Sequence, residues 1–124
     1  MSNVPGNLQY SKDHEWVEGS GARVKIGITD YAQGALGDIV YVQLPKVGDT
    51  VTEGFVCGEI ESTKSVSELF SPVSGKVVAV NDALDSAPET LNSDPYGAGW
   101  IAEIEVSSPS TELMDAAAYS ALIG

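Results

Sequence analysis

The feature that most constrains the fold is a two-residue alternation of apolar and polar side chains, repeated in runs too short for helices. "RVKIGI" puts Val24, Ile26 and Ile28 on one side and Arg23, Lys25 and Gly27 on the other. "VYVQL" sets Val40, Val42 and Leu44 against Tyr41 and Gln43, and "WIAEIEV" sets Trp100, Ala102, Ile104 and Val106 against Ile101, Glu103 and Glu105. Successive side chains of a strand point to opposite faces, so each run describes a strand with one face buried and one wet. "FVCGEI" and "KVVAV" read as further strands with weaker alternation. Clusters of turn residues separate them: "EGSG", "PKVGD", "SPVSG", "VND" and "SDPYGAG". The expectation is a mainly β fold, a flattened barrel or sandwich.

Two segments break the alternation. "TDYAQGALG" predicts a short helix near 29–36, capped by Thr29 or Asp30 and closed by Gly37 in a left-handed conformation. The tail "SPSTELMDAAAYSALI" predicts a C-terminal helix over about 109–123. Ser108 would cap it, Pro109 would start it, and Met114, Ala118, Ala121 and Leu122 would form an apolar stripe docked on the β structure. A weak internal echo relates "VGDTV" at Val47–Val51 to "VNDAL" at Val80–Leu84. Taken as real, it implies two similar half-sheets joined by a hairpin that carries Lys64.

Charge narrows the function. The 124 residues hold 6 basic and 18 acidic side chains, a formal charge of −12, which repels nucleic-acid phosphates. No run has the length of a membrane span, and the start "MSNVPGNLQYSKDHEWV" has neither an apolar core nor an arginine-rich face, so a cytoplasmic protein is expected. Cys57 is the only cysteine and His14 the only histidine. They make no metal site. Cys57 reads as a small strand residue, and His14, beside Trp16, as a packing and hydrogen-bonding residue.

That leaves Lys64, in "GEIESTKSVSELFSPVSGKV". Most lysines in such a setting are solvated surface side chains. A Schiff-base or general-base lysine needs a desolvated pocket, and "ESTKS" offers neither bulk nor apolarity. It offers access: a lysine on a tight turn between Thr63 and Ser65 can be approached by another protein, which suits a residue modified to carry a swinging group.

Six blocks, in order, are similar to the glycine cleavage system H protein family, a relative of lipoyl and biotinyl carrier domains. They are "HEWV", "GITDYAQ", "LGDIVYVQLPKVG", "ESTKSVSEL", "SPVSGKVVAVN" and "LNSDPYGAGW", and the likeness runs from Tyr10 to about Leu122. Biotin carriers place methionines around their lysine, and Met1 and Met114 are both remote. Lipoyl domains of oxo-acid dehydrogenases place aspartate before and alanine after it, where this chain has Thr63 and Ser65. The H protein family more often has valine and alanine there; Glu61, three residues before Lys64, matches its pattern.

The resemblance implies a single lipoyl-carrier domain over 1–124, with a lipoyl-like core over about 22–106 in a barrel-sandwich hybrid. It implies (R)-lipoate in amide linkage to Lys64, attached by a lipoate-attaching enzyme. It also implies three working partners: glycine decarboxylase, aminomethyltransferase and dihydrolipoyl dehydrogenase. Glu15 matches a family glutamate associated with the docked arm, and Glu68 falls where the family has an acidic residue. The chain would be a monomeric, non-catalytic shuttle for an aminomethyl group. A lipoyl relay that donates lipoate to other enzymes would use the same Lys64, and an unmodified β-rich adaptor remains a third reading.

Overall fold

The computed structural model describes residues 3–19, 21–108, 110 and 113–123. Among these described residues nine strands and four helices follow one another: β1 (Gln9–Tyr10), β2 (Glu15–Glu18), β3 (Arg23–Ile28), α1 (Asp30–Leu36), β4 (Ile39–Gln43), β5 (Thr50–Val51), β6 (Val56–Ser62), β7 (Val66–Phe70), β8 (Ser74–Val80), α2 (Ala83–Ser86), α3 (Thr90–Ser93), β9 (Ala102–Ser108) and α4 (Ala116–Ile123). They form a six-stranded sheet, in the order β1-β2-β3-β9-β8-β5, and a three-stranded sheet, β4-β6-β7. Every pairing is antiparallel, and the two sheets do not close into a barrel.

The alternation read from the sequence explains the main core. Val24, Ile26 and Ile28 of β3 and Ala102 and Ile104 of β9 meet Ile39 and Val42 of β4, Ile60 of β6 and Leu69 of β7. Leu84 of α2 and Leu91 of α3 join the same cluster. The outer face of the larger sheet uses the scarce cations in cross-strand pairs: Arg23 stands opposite Glu105, Lys25 opposite Glu103 and Lys76 opposite Glu105. Arg23 also reaches Glu103 at 3.6 Å.

Several expectations need correction. Val40 is 54% exposed, not buried beside Val42, because a bulge between Ile39 and Tyr41 lets Ile39 take the inner place. Trp100 precedes β9 and packs in a second cluster, while Ile101 is fully buried rather than facing solvent. The echo does not mark two half-sheets: Val47–Val51 leads through a turn into β5, whereas Val80 ends β8 and Ala83–Leu84 begin α2. Both strands of the Lys64 hairpin belong to the three-stranded sheet, so the hairpin caps one sheet instead of joining two.

The first helix matches its reading. The Ala32 amide donates to Thr29 Oγ1 at 3.2 Å, and Gly37 ends the helix with φ at +83°, although its ψ of −154° is extended and not that of the left-handed helical cap expected. The last helix does not. Ser108 is the final residue of β9, Pro109 lies outside the described residues, and the helix begins at Ala116, with Asp115 Oδ1 accepting from the Ala118 amide at 2.8 Å. Its buried side chain is Tyr119; Ala118, Ala121 and Leu122 are exposed, and Met114 is half-buried before the helix starts.

Tyr119 docks the helix on a second apolar cluster with Leu8, Tyr10 and Trp16. It stacks on Tyr10 with ring centroids 4.7 Å apart and 9° between planes. Trp16 lies over its cross-strand partner Gly27, and its Nε1 donates to the Pro95 carbonyl at 2.9 Å. A Cβ at position 27 would sit 2.5 Å from the indole, so only glycine fits beneath it. Gly27→Ala is expected to destabilise the fold by about 1–3 kcal/mol, the usual range for overpacking, read as a lower midpoint in urea denaturation.

Candidate functional site

The β6–β7 hairpin reverses through Thr63, Lys64 and Ser65. Small polar residues make this turn possible. The Ser62 amide donates to the Ser65 carbonyl at 2.8 Å, while the Ser62 hydroxyl accepts from the amides of Lys64 and Ser65, each at 3.2 Å. The Thr63 amide donates to the Asp38 carbonyl at 3.0 Å, tying the turn to the junction of α1 and β4. Lys64 is exposed at the tip, as the sequence led us to expect of its hairpin. A short exposed turn with a primary amine can be entered and acylated by another protein, so its chemistry fits a covalently tethered group.

Glu15 lies at the opposite extreme of environment, 3% exposed. It shares the inward side of β2 with Val17, as alternation requires. Ser11 serves it twice: the Ser11 hydroxyl donates to Glu15 Oε1 at 2.6 Å and accepts from the Glu15 amide at 3.1 Å. The backbone of Phe70 on β7 also favours the ionised carboxyl. Burial dominates these contacts and raises the Glu15 pKa from 4.5 to about 8.

Glu68 stands on the surface of β7, two residues before Phe70 and directly opposite Glu59 of β6. Facing carboxylates cost some stability and set up a negative potential that attracts cations. Gln43, Val56, Cys57, Gly58, Glu59 and Glu68 line an open cleft of about 270 Å³. Cys57 occupies a ladder irregularity between Val56 and Gly58. Its pKa is pushed up to about 12, first by burial and then by Glu15. Cys57 thus lines the cleft with Glu68, and Glu15, once ionised, adds to the rise in the thiol pKa. Glu68 is four residues from Lys64, about 13 Å along an extended strand.

His14 is a structural residue, as expected. It takes φ at +68° at the end of the β1–β2 loop, and its Nδ1 lies 2.9 Å from Tyr119 Oη. Burial lowers its pKa. Among the described residues no cluster of histidine, cysteine and carboxylate side chains could hold a metal, and no helix is long and apolar enough to cross a membrane.

Sequence reasoning passed over Ser11, Phe70 and Gly37 as neighbours of the site. A hydroxyl four residues before Glu15 is a visible signal for a short hairpin loop. The Phe70 contact depends on how two sheets meet, which no local pattern carries.

The buried carboxyl has a thermodynamic signature. Between pH 4.5 and about 8 the folded chain keeps a proton on Glu15 that the unfolded chain has released, so stability falls as pH rises through that window. Glu15→Gln removes this titration. The variant is expected to gain on the parent as pH rises, by up to a few kcal/mol, in urea midpoints taken across the range; a difference constant with pH would exclude it. The thiol has its own signature: Cys57 is expected to resist iodoacetamide at pH 8 in the folded chain and to react once unfolded.

The comparisons with known proteins agree with one another. A family model described as Glycine cleavage H-protein matches residues 8–124. The chain is 61% identical over 123 residues to the glycine cleavage system H protein of Myxococcus xanthus, covering 98% of this chain and 95% of that one. It is 57% identical over 120 residues to the H protein of Beutenbergia cavernae, covering 97% and 96%. The crystal structure of an H protein from Mycobacterium marinum superposes with a TM-score of 0.92 at 46% identity, over 98% of this chain and 99% of that one. With its two antiparallel sheets, its exposed hairpin lysine and this likeness over nearly its full length, the chain belongs to the glycine cleavage system H protein family.

Proposed function

We propose that Lys64 carries lipoate in amide linkage, placed there by a lipoate-attaching enzyme. Residues 1–124 then act as one carrier unit that takes an aminomethyl group from glycine decarboxylase to aminomethyltransferase and is restored by dihydrolipoyl dehydrogenase. The observation that carries this reading is Lys64 at the exposed tip of a hairpin whose backbone is tied to Asp38. Bound lipoate would supply a redox-active disulfide: one sulfur would take the aminomethyl group while the electron pair released on glycine decarboxylation reduces the other to a thiol, and the dithiol left after the group is handed on would be reoxidised by dihydrolipoyl dehydrogenase. Tethering makes each visit to a docked partner effectively intramolecular.

The chain's own residues supply attachment, shelter and charge. Lys64 gives the acylable amine. Glu68 and Glu59 attract a cationic amine to the cleft four residues from the tether. A cation brought near Glu15 favours its ionised form, so docking is coupled to loss of the Glu15 proton from the buried carboxyl. Cys57 remains a thiol, and a thiol does not attack a neighbouring disulfide as a thiolate does. None of these groups is asked to break or form a bond of the substrate.

Lys64→Arg tests the reading, because it keeps the charge and removes the acylable amine. The variant is expected to fold normally, to gain no mass when incubated with a lipoate-attaching enzyme, and to support no glycine cleavage in the reconstituted system. Residual turnover would count against Lys64. Glu15→Gln is expected to take up lipoate normally but to release formaldehyde faster once loaded, and an unchanged release rate would take Glu15 out of the shelter.

A further inference from the structure

Lys64 does not stand on its hairpin alone. Its methylenes lie across Gly37, the residue that closes α1: a Cβ built there would be 3.3 Å from Lys64 Cε, 3.6 Å from Cδ and 3.8 Å from Cγ. The segment beneath is held by one side chain from a distant part of the sequence. Asn92 on α3 donates through Nδ2 to the Gly37 carbonyl at 2.8 Å and to Gln33 Oε1 at 3.0 Å. Its Oδ1 accepts from the Ile39 amide at 2.9 Å. Between Gly37 and Ile39 lies Asp38, whose carbonyl holds the Thr63 amide of the turn. Asn92 thus anchors both sides of the residue that anchors the lysine turn.

We propose that Gly37 and Asn92 are positioning residues for Lys64: together they form a shelf that sets how the lysine stem leaves the protein for the enzyme that acylates it. Gly37 meets two demands at once. Its φ of +83° favours glycine, and its missing side chain leaves the space that the lysine methylenes use. The contact is made by carbon atoms, so acylation of the nitrogen removes the charge and leaves the contact in place. The shelf therefore serves the free lysine and the base of the finished arm alike. Long side chains lose much freedom when held, and a stem already lying on a surface has less left to lose on meeting an enzyme.

This proposal rests on Lys64 being the acylated residue, and the experiment separates the two claims. The full unmodified chain and its variants Gly37→Ala, Asn92→Ala and Asn92→Asp are incubated with a lipoate–protein ligase, ATP and lipoate, well below their melting temperatures. Site-resolved mass spectrometry gives kcat and KM. In parallel, Lys64 is acetylated chemically with an N-hydroxysuccinimide ester, which reads only the accessibility and basicity of the amine. Gly37→Ala and Asn92→Ala are expected to lower enzymatic kcat/KM about tenfold, the scale of a lost positioning interaction, with chemical acetylation unchanged. Asn92→Asp keeps the Ile39 bond and the side-chain volume while losing both donated bonds and setting a carboxylate oxygen against the Gly37 carbonyl, and a deficit of the same kind supports the shelf even if Asn92→Ala folds poorly. Parent-like kcat/KM in the folded variants overturns the shelf while Lys64 remains the site. A parent chain acylated at another lysine, or not at all, overturns the functional reading and the shelf with it.

Discussion

An ammonium group is costly to take out of water, and the turn of a β-hairpin is the part that reaches furthest from the apolar core its strands help to line. That constraint organises this protein. Ile60 and Leu69 commit β6 and β7 to the core, and the chain between them reverses over three exposed residues, with Lys64 in the middle. A turn of this kind holds its direction only if its amides are satisfied. The Ser62 hydroxyl and the Asp38 carbonyl do that without adding bulk. The amine is free because everything around it is not.

Glu15 shows the reverse solution to the same problem. A carboxyl inside a protein can be paired with a cation, or it can be kept neutral. This chain does the second: burial keeps Glu15 protonated against the opposing pull of the Ser11 hydroxyl bonded to its Oε1. The result is a group with no standing charge that can acquire one when a cation arrives. Glu68 and Glu59 line the cleft together with Cys57, and Glu15, which is not part of the cleft wall, acts on that thiol electrostatically.

The sequence made the strand-rich class, α1 with its Thr29 cap and its end at Gly37, and the hairpin lysine legible, because each depends on neighbours within a few residues. The errors share a cause. Val40 and Ile101 were assigned faces by strict alternation, and a bulge in one case and the turn before β9 in the other changed the count. Ser108–Pro109 is a good helix start in isolation, yet Ser108 pairs with Ser74, while Asp115 caps the helix seven residues later. Of the candidate site, the exposed position of Lys64 could be read by inspection. The burial of Glu15 and the reach of Asn92 to Gly37 depend on sheets and helices meeting from far apart in the chain.

The hydroxyl of Tyr119 lies 2.8 Å from Thr29 Oγ1, the atom that caps α1, and 2.9 Å from His14 next to Glu15. One phenol near the chain's end therefore touches the start of the helix that ends beneath the lysine and the loop that leads into the buried acid. For anyone altering this protein, the last helix is not a neutral handle: trimming or crowding it disturbs the start of α1 and the loop before Glu15 at once.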